Sequence, residues 1–244
     1  MPRSGLADRF HRLVELTPGE RNTLIQLEER TRTVSRGAVL LREHDRMDEL
    51  FVVREGMMMA YVLLDDGSRQ IVRFLFPGDI FALSALVYRG SPDTVVALST
   101  AVLSVIDRPA IARLSEEHPR LLCLLLVLNQ IERVAATDRM AGLGRTSARA
   151  RVATLLLDLR NRMRHADMDI DAIFPLRLTQ EEIGDATGLT AVHVNRMLRQ
   201  LEEDGMIARE SGRVVIRDEA ALARETNYVD RYNKLDLGWL PPGR

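Results

Sequence analysis

Leu178-Thr179-Gln180-Glu181-Glu182-Ile183-Gly184-Asp185-Ala186-Thr187-Gly188-Leu189-Thr190-Ala191-Val192-His193-Val194-Asn195-Arg196-Met197-Leu198-Arg199-Gln200-Leu201-Glu202-Glu203 decides the fold. Thr179 with Glu182 three residues on is a capping box, so a helix starts there. Ile183 and Ala186 form its inward face, and Gly184 permits close approach of a second helix. Gly188 stands where a helix-turn-helix bends sharply, and Thr190 is an N-cap for the second helix. Val194, Met197, Leu198 and Leu201 then come at i, i+3, i+4 and i+7, a buried stripe. The opposite face presents Val192, Asn195, Arg196 and Arg199, with His193 at its edge. No acidic side chain occurs between Ala191 and Leu201. Arginine can contact guanine with two bonds, asparagine can do so with adenine, and valine can touch a thymine methyl. These five residues are therefore expected at base edges. The plainer reading is an αα-hairpin with an exposed basic face.

The residues on either side of this stretch favour the DNA reading. Two short strands are expected at Ile207–Arg209 and Val214–Arg217, with Ser211-Gly212 at the bend, forming a wing. Arg209 and Arg213 on the wing, Arg145 ahead of it, and the capping threonines Thr179 and Thr190 are expected at phosphates. Upstream, Ser147 to about Arg164 reads as an amphipathic helix with Val152, Leu155, Leu156 and Leu159 on one face and Arg145, Arg149 and Arg151 at its start. A loop containing Phe174-Pro175 separates it from the helix pair. The tail after Asp218 includes a short helix and ends in Gly238-Trp239-Leu240-Pro241-Pro242.

The middle of the chain is also helical, from about Pro109 to Gly142, with a break near His118-Pro119. Leu124, Leu128, Ile131 and Ala135 have 4-3-4 spacing, as in a helix paired with a copy of itself. A helix buried in a monomer core would read the same way. Gly142-Leu143-Gly144 marks a hinge. Cys123, in the apolar run, is expected to be a buried and inert thiol.

The first third reads as antiparallel β. Strands are expected at Ala38–Leu41, Glu49–Arg54, Met57–Leu64, Arg69–Phe76, Ile80–Ala82, Val95–Ser99 and Ala101–Asp107, with glycine-containing turns between many of them. Asp66-Gly67 is a hairpin signal. One or two short helices are expected over residues 7–30.

The balance of 34 Lys+Arg against 35 Asp+Glu gives a net charge of -1, so nothing in the bulk charge announces nucleic acid. The 46% hydrophobic fraction excludes wholesale disorder. The longest apolar run, Leu121 to Leu128, is too short to span a bilayer, and Met1-Pro2-Arg3-Ser4-Gly5 does not read as a signal peptide. A single cysteine excludes an internal disulfide and a multi-cysteine metal site. The cytoplasm is the expected compartment, without a membrane partner. An enzyme built on the β region would need clustered His and carboxylates, and neither such a cluster nor a phosphate-binding loop occurs.

The order of β-roll, long helix and winged helix-turn-helix over about residues 10–217 resembles the Crp/Fnr family of bacterial transcription regulators. The likeness rests on Leu50-Phe51-Val52-Val53-Arg54-Glu55-Gly56 and Phe76-Pro77-Gly78-Asp79 in front. Behind, it rests on Thr179 through Gly184 and Gly188 through Arg196, where Val192-His193-Val194-Asn195-Arg196 resembles an alphaproteobacterial subgroup. The resemblance implies an α+β chain. A cyclic-nucleotide-binding-like antiparallel β-roll with N-terminal helices occupies 1–108. A dimerisation helix and hinge fill 109–143, a winged helix-turn-helix 144–217 and a C-terminal tail 218–244. It implies a homodimer reading a pseudo-palindrome in double-stranded DNA, with RNA polymerase as a further partner. The family usually has a base-reading Glu four residues before the Arg that aligns with Arg196. Here that position is Val192, which cannot accept a bond from cytosine.

In cyclic-nucleotide-binding members a Gly-Glu pair holds the ribose and an Arg-Ser pair the phosphate. The matching positions are Ala82-Leu83 and Asp93-Thr94, so the resemblance implies a degenerate effector pocket and no cyclic AMP. One cysteine cannot supply an iron–sulfur cluster. His11, His44 and His118 are the histidines weighed as haem ligands, and each reads as a surface or capping residue. The expectation is no cofactor and no metal. The β-roll then either binds an unknown small molecule or acts as a scaffold and polymerase-facing surface.

Overall fold

The structure, a computed structural model, describes residues 4–166 and 170–243. The amino-terminal reading at Met1–Arg3 and residue Arg244 of the tail lie outside the described residues. Two compact units emerge, one of Met1–Val62, Arg73–Glu132 and Leu235–Arg244, the other of Leu63–Val72 and Arg133–Lys234. The long helix and the tail are each divided between them, where one stretch of sequence each was expected.

The first unit opens with α1 (Gly5–His11) and α2 (Pro18–Leu27). Thr17 and Glu20 form a reciprocal capping box at the start of α2. The buried Glu28 carboxylate accepts bonds from Ser4 Oγ, Ser104 Oγ and the amides of Gly5 and Leu6, pinning α1. Eight strands come next in the chain, the end of the fourth and the start of the fifth, within Leu63–Val72, belonging to the second unit: β1 (Thr31–Val34), β2 (Val39–Leu41), β3 (Glu49–Glu55), β4 (Met58–Leu63), β5 (Arg69–Leu75), β6 (Ile80–Phe81), β7 (Thr94–Ala97) and β8 (Ala101–Asp107). They form two four-stranded sheets in the orders β1-β8-β3-β6 and β2-β7-β4-β5. Inward residues of both sheets, including Phe51, Met58, Leu75, Phe81, Val95 and Leu103, form one core. The Phe51 and Phe81 rings stack there with centroids 5.3 Å apart. Strand β1 had no counterpart in the sequence reading, because its burial pattern exposes Thr31, Arg32 and Thr33 and hides only Val34. Ala82 is corrected from a strand residue to a left-handed one, φ 58°, at the head of a 3-10 turn over Leu83–Leu86.

Helices α3 (Arg108–Glu117) and α4 (Pro119–Arg145) continue the chain, the break falling at His118 as expected. The expected hinge at Gly142-Leu143-Gly144 is corrected: α4 runs through both glycines. A helical glycine costs only about 1 kcal/mol relative to alanine, and Thr146 Oγ1 bonds the Gly142 carbonyl at 2.7 Å. The chain turns at Ser147, whose side chain caps the next helix.

The second unit contains α5 (Ala148–His165), β9 (Ile173–Pro175), α6 (Gln180–Thr187), α7 (Ala191–Glu203), β10 (Ile207–Glu210), β11 (Arg213–Ile216) and α8 (Glu219–Thr226). Helix α5 packs on α6, α7 and α8. The Phe174-Pro175 stretch is corrected from loop to strand: β9 pairs antiparallel with β11, giving the sheet order β10-β11-β9. Phe174 is fully buried and anchors it. Among the described residues no helix is long and apolar enough to cross a membrane.

Candidate nucleic-acid interface

The helix-turn-helix is assembled by local chemistry. Thr179 Oγ1 accepts from the Glu182 amide at 3.1 Å while Glu182 accepts from the Thr179 amide at 2.7 Å, which starts α6. Helix α6 ends at Gly188 with φ 65°, a conformation other residues enter only under strain. A methyl group on Gly184 would lie 2.4 Å from the Leu189 carbonyl oxygen, so what approaches this glycine is the turn itself. Arg151 of α5 donates from Nη1 to the Thr187 carbonyl at 2.7 Å, satisfying an end group of α6. Thr190 caps α7 by accepting from the His193 amide.

On α7 the faces separate as the spacing predicts. Val194, Met197, Leu198 and Leu201 are buried, and Val192, His193, Arg196 and Arg199 are exposed, with Asn195 half-buried beside them. Val192 is 79% exposed, although it is apolar. Desolvating such a residue against a base edge is favourable, whereas leaving it in water is not.

The residues expected at phosphates divide into two groups. Arg145 at the end of α4 and Arg213 on β11 are exposed, as are Thr179 and Thr190. Arg209 is drawn back instead: its Nη2 donates to Glu202 at 2.6 Å, and its amide donates to the other oxygen of that carboxylate. This arginine holds the Glu202 carboxyl below its usual range, although burial works against it. The pair ties the wing to the end of α7. Arg149, read as one of several basic residues, likewise bonds Glu225 at 2.7 Å and pairs with Asp204. Spacing does not reveal the Arg149 pairs, because the partners lie 55 and 76 residues away.

The seam expected for self-association is corrected. Leu124, Leu128 and Ile131 are 0%, 5% and 5% exposed within the single chain, so they belong to its core, and Ala135 is half-buried. A second stripe at Leu122, Leu126, Asn129, Arg133, Ala136 and Met140 has 4-3-4-3-4 spacing. Leu126 is 51% and Met140 69% exposed. Asn129 and Arg133 interrupt its apolar character, so it does not stand out in the sequence as a continuous hydrophobic seam. Cys123 is half-buried rather than buried.

At the degenerate effector position, Ala82 and Leu83 are half-buried, and Thr94 is buried with its hydroxyl accepting from the Glu43 amide at 3.0 Å. Burial pushes the Asp93 carboxyl up; nearby Arg73 offsets this in part and Glu43 adds to it. A phosphate has no donor in Asp93 and meets a carboxylate there, so these residues do not fit a cyclic nucleotide. No group of three metal-binding side chains is gathered among the described residues. Thr23 Oγ1 holds His118 at 2.9 Å.

Two family patterns match the chain, a cyclic nucleotide-binding domain over residues 31–118 and a Crp-like helix-turn-helix domain over 150–225. Among curated relatives, the nitrogen fixation regulation protein FixK of Bradyrhizobium diazoefficiens is 34% identical over 187 residues, 76% of this chain and 77% of that protein. The transcriptional activator protein anr of Pseudomonas aeruginosa is 29% identical over 209 residues, 86% of this chain and 85% of its own. The solved structure of FixK2 from Bradyrhizobium japonicum matches with a TM-score of 0.73 and 25% identity, covering 82% of this chain and 98% of that one.

Proposed function

The chain belongs to the Crp/Fnr family of bacterial transcription regulators, and from that premise we propose that it reads a pseudo-palindromic operator as a homodimer, with α7 in the major groove. It is a sequence-specific DNA-binding regulator and not an enzyme. One observation carries the operator reading: α7 has a buried apolar stripe and, opposite it, an exposed basic face without a carboxylate between Ala191 and Leu201. Arg196 is assigned to base readout, with Val192, His193, Asn195 and Arg199 around it. Arg145, Arg213, Thr179 and Thr190 are assigned to phosphates, and Arg209 to holding the wing on α7. The α4 stripe that includes Leu126 and Met140 is the surface where the second copy sits. Two recognition helices would then reach half-sites about one helical turn apart.

The front domain acts without cyclic AMP, haem or an iron–sulfur cluster, in the cytoplasm, and offers a surface to RNA polymerase. The chemistry of Asp93 supports the first of these. Arg196→Ala should weaken operator binding by about 1–3 kcal/mol and relax base preference at one position. Competition binding against single-base operator variants measures both, and an unchanged affinity and preference would sink the assignment.

A further inference from the structure

We propose that a cavity where α4 meets α5, closed over by residues 227–232, binds a small organic anion with an apolar body. This goes beyond the operator reading and does not depend on it. The cavity encloses about 390 Å³ within the second unit, in the usual range of about 300–1,000 Å³ for small-molecule sites. Apolar wall is supplied by Ala135, Leu143, Leu155 and Val229, and by the rings of Tyr228 and Tyr232.

The polar lining has a sign. Five arginines and three aspartates line the space. Arg231 bonds both oxygens of Asp138 at 2.6 and 2.9 Å, and Arg139 pairs with Asp158. Asp230 is held by His165 at 3.0 Å. Arg145 and Arg151 are left without a carboxylate among the described residues. Arg151 spends Nη1 on the Thr187 carbonyl, and its Nε is buried with no hydrogen-bond partner among the described residues. A carboxylate, sulfonate or phosphate in the cavity would meet the two guanidinium charges of Arg145 and Arg151 with charge-assisted bonds.

The cover is built rather than incidental. Asn227 takes the left-handed conformation that ends α8, and the Asn161 amide donates to the hydroxyl of the half-buried Tyr228. The Tyr232 ring packs on His165 at 4.6 Å. The covering residues 227–232 lie past residue 225, where the match to the helix-turn-helix family pattern ends, while Asn161 and His165, which hold them, lie within it. At 100° per residue, positions 135, 138, 139 and 142 stand across α4 from 126, 133 and 140, so a second copy seated on the stripe leaves the cavity accessible. An occupant touches both α4, which carries that stripe, and α5, on which α6 and α7 pack. The site is therefore placed to bias the position of the recognition helix.

The test titrates the full-length protein, free of DNA, with 1-anilinonaphthalene-8-sulfonate, a fused aromatic body bearing one sulfonate, and tracks its fluorescence. One saturable site per chain is expected. Arg145→Glu, at an exposed helix end that tolerates change, should weaken it about tenfold. Thr154→Trp, which puts an indole into the cavity from α5, should abolish it, with circular dichroism confirming the fold. Leu126→Glu on the α4 stripe should leave it unchanged. Non-saturable binding, or saturable binding that survives both cavity variants, overturns the proposal, as does loss with Leu126→Glu alone. Failure of Arg196→Ala to affect operator binding would count against the operator reading and leave this result untouched.

Discussion

At the residue scale, identity matters most where one side chain changes the sign or the donor set of a contact. Val192 occupies the position where the family usually has a base-reading glutamate, and it is 79% exposed on α7. Val192→Glu adds an acceptor for the cytosine amino group. It should therefore gain about 1–3 kcal/mol of preference for C·G over T·A at one position of each half-site. Competition between operator variants reads this, and an unchanged preference would place Val192 away from the bases. Asp93 makes a different point. Burial raises its carboxyl above the usual range, so its contribution to stability is full below the unfolded value, near 3.9, and is lost as the pH rises through the folded one. At neutral pH the ionised Asp93 therefore costs stability. Asp93→Asn should raise the thermal midpoint at pH 7, with the gain shrinking as the pH falls towards 4; a gain that grew on acidification would refute this. The sequence revealed the type of each of these residues and the face of α7 it occupies. It did not reveal that Arg149 is held by Glu225 and Asp204, because pairing across 76 and 55 residues leaves no periodic trace, nor that the turn after α7 brings Arg209 back onto Glu202 seven residues before it.

At the element scale, α7 was legible because an apolar stripe at i, i+3, i+4 and i+7 leaves only one solution. The capping box at Thr179 and the left-handed Gly188 were legible because each rests on contacts within three or four residues. Helix α4 was harder. Its first half is apolar nearly all round, and the seam at Leu124, Leu128 and Ile131 is buried within the single chain. Buried leucine and exposed leucine look alike in sequence; only packing separates them. The two stripes should respond oppositely. Leu124→Ala should cost about 2–5 kcal/mol of folding stability, as deletion of a buried leucine does. Leu126→Glu should leave the fold near wild type and raise the dimer dissociation constant at least about tenfold, since a carboxylate would have to be desolvated in the seam. Unfolding midpoints and sedimentation equilibrium separate these effects, and a Leu126→Glu protein that stayed dimeric would move the interface elsewhere. The glycines at 142 and 144 misled for a related reason. Glycine weakens a helix without ending it, and the true end is set by the Ser147 cap.

At the scale of the whole molecule, a net charge of -1 does not announce nucleic acid. The sum concealed the arrangement: carboxylates elsewhere balance a face of α7 that carries none between Ala191 and Leu201. Near-neutrality limits sequence-independent attraction to phosphates, which leaves more of the discrimination to base contacts. The change of hydrophobic period near residue 108, from alternation to helical repeats, is visible in the sequence, but the units divide within α4 after Glu132, and Leu63–Val72 joins the second. The division of the tail is not visible there, because residues 227–234 and 235–244 join different units through contacts distant in sequence. The central claim is that two copies of the chain read a two-fold site through α7. Selection of bound duplexes from random DNA by the full-length protein tests it most directly. The expected result is an enriched inverted repeat with half-sites about 10–10.5 base pairs apart, centre to centre, whose enrichment is lost for Arg196→Ala. Recovery of no shared sequence, or of the same sequence with Arg196→Ala, would contradict it.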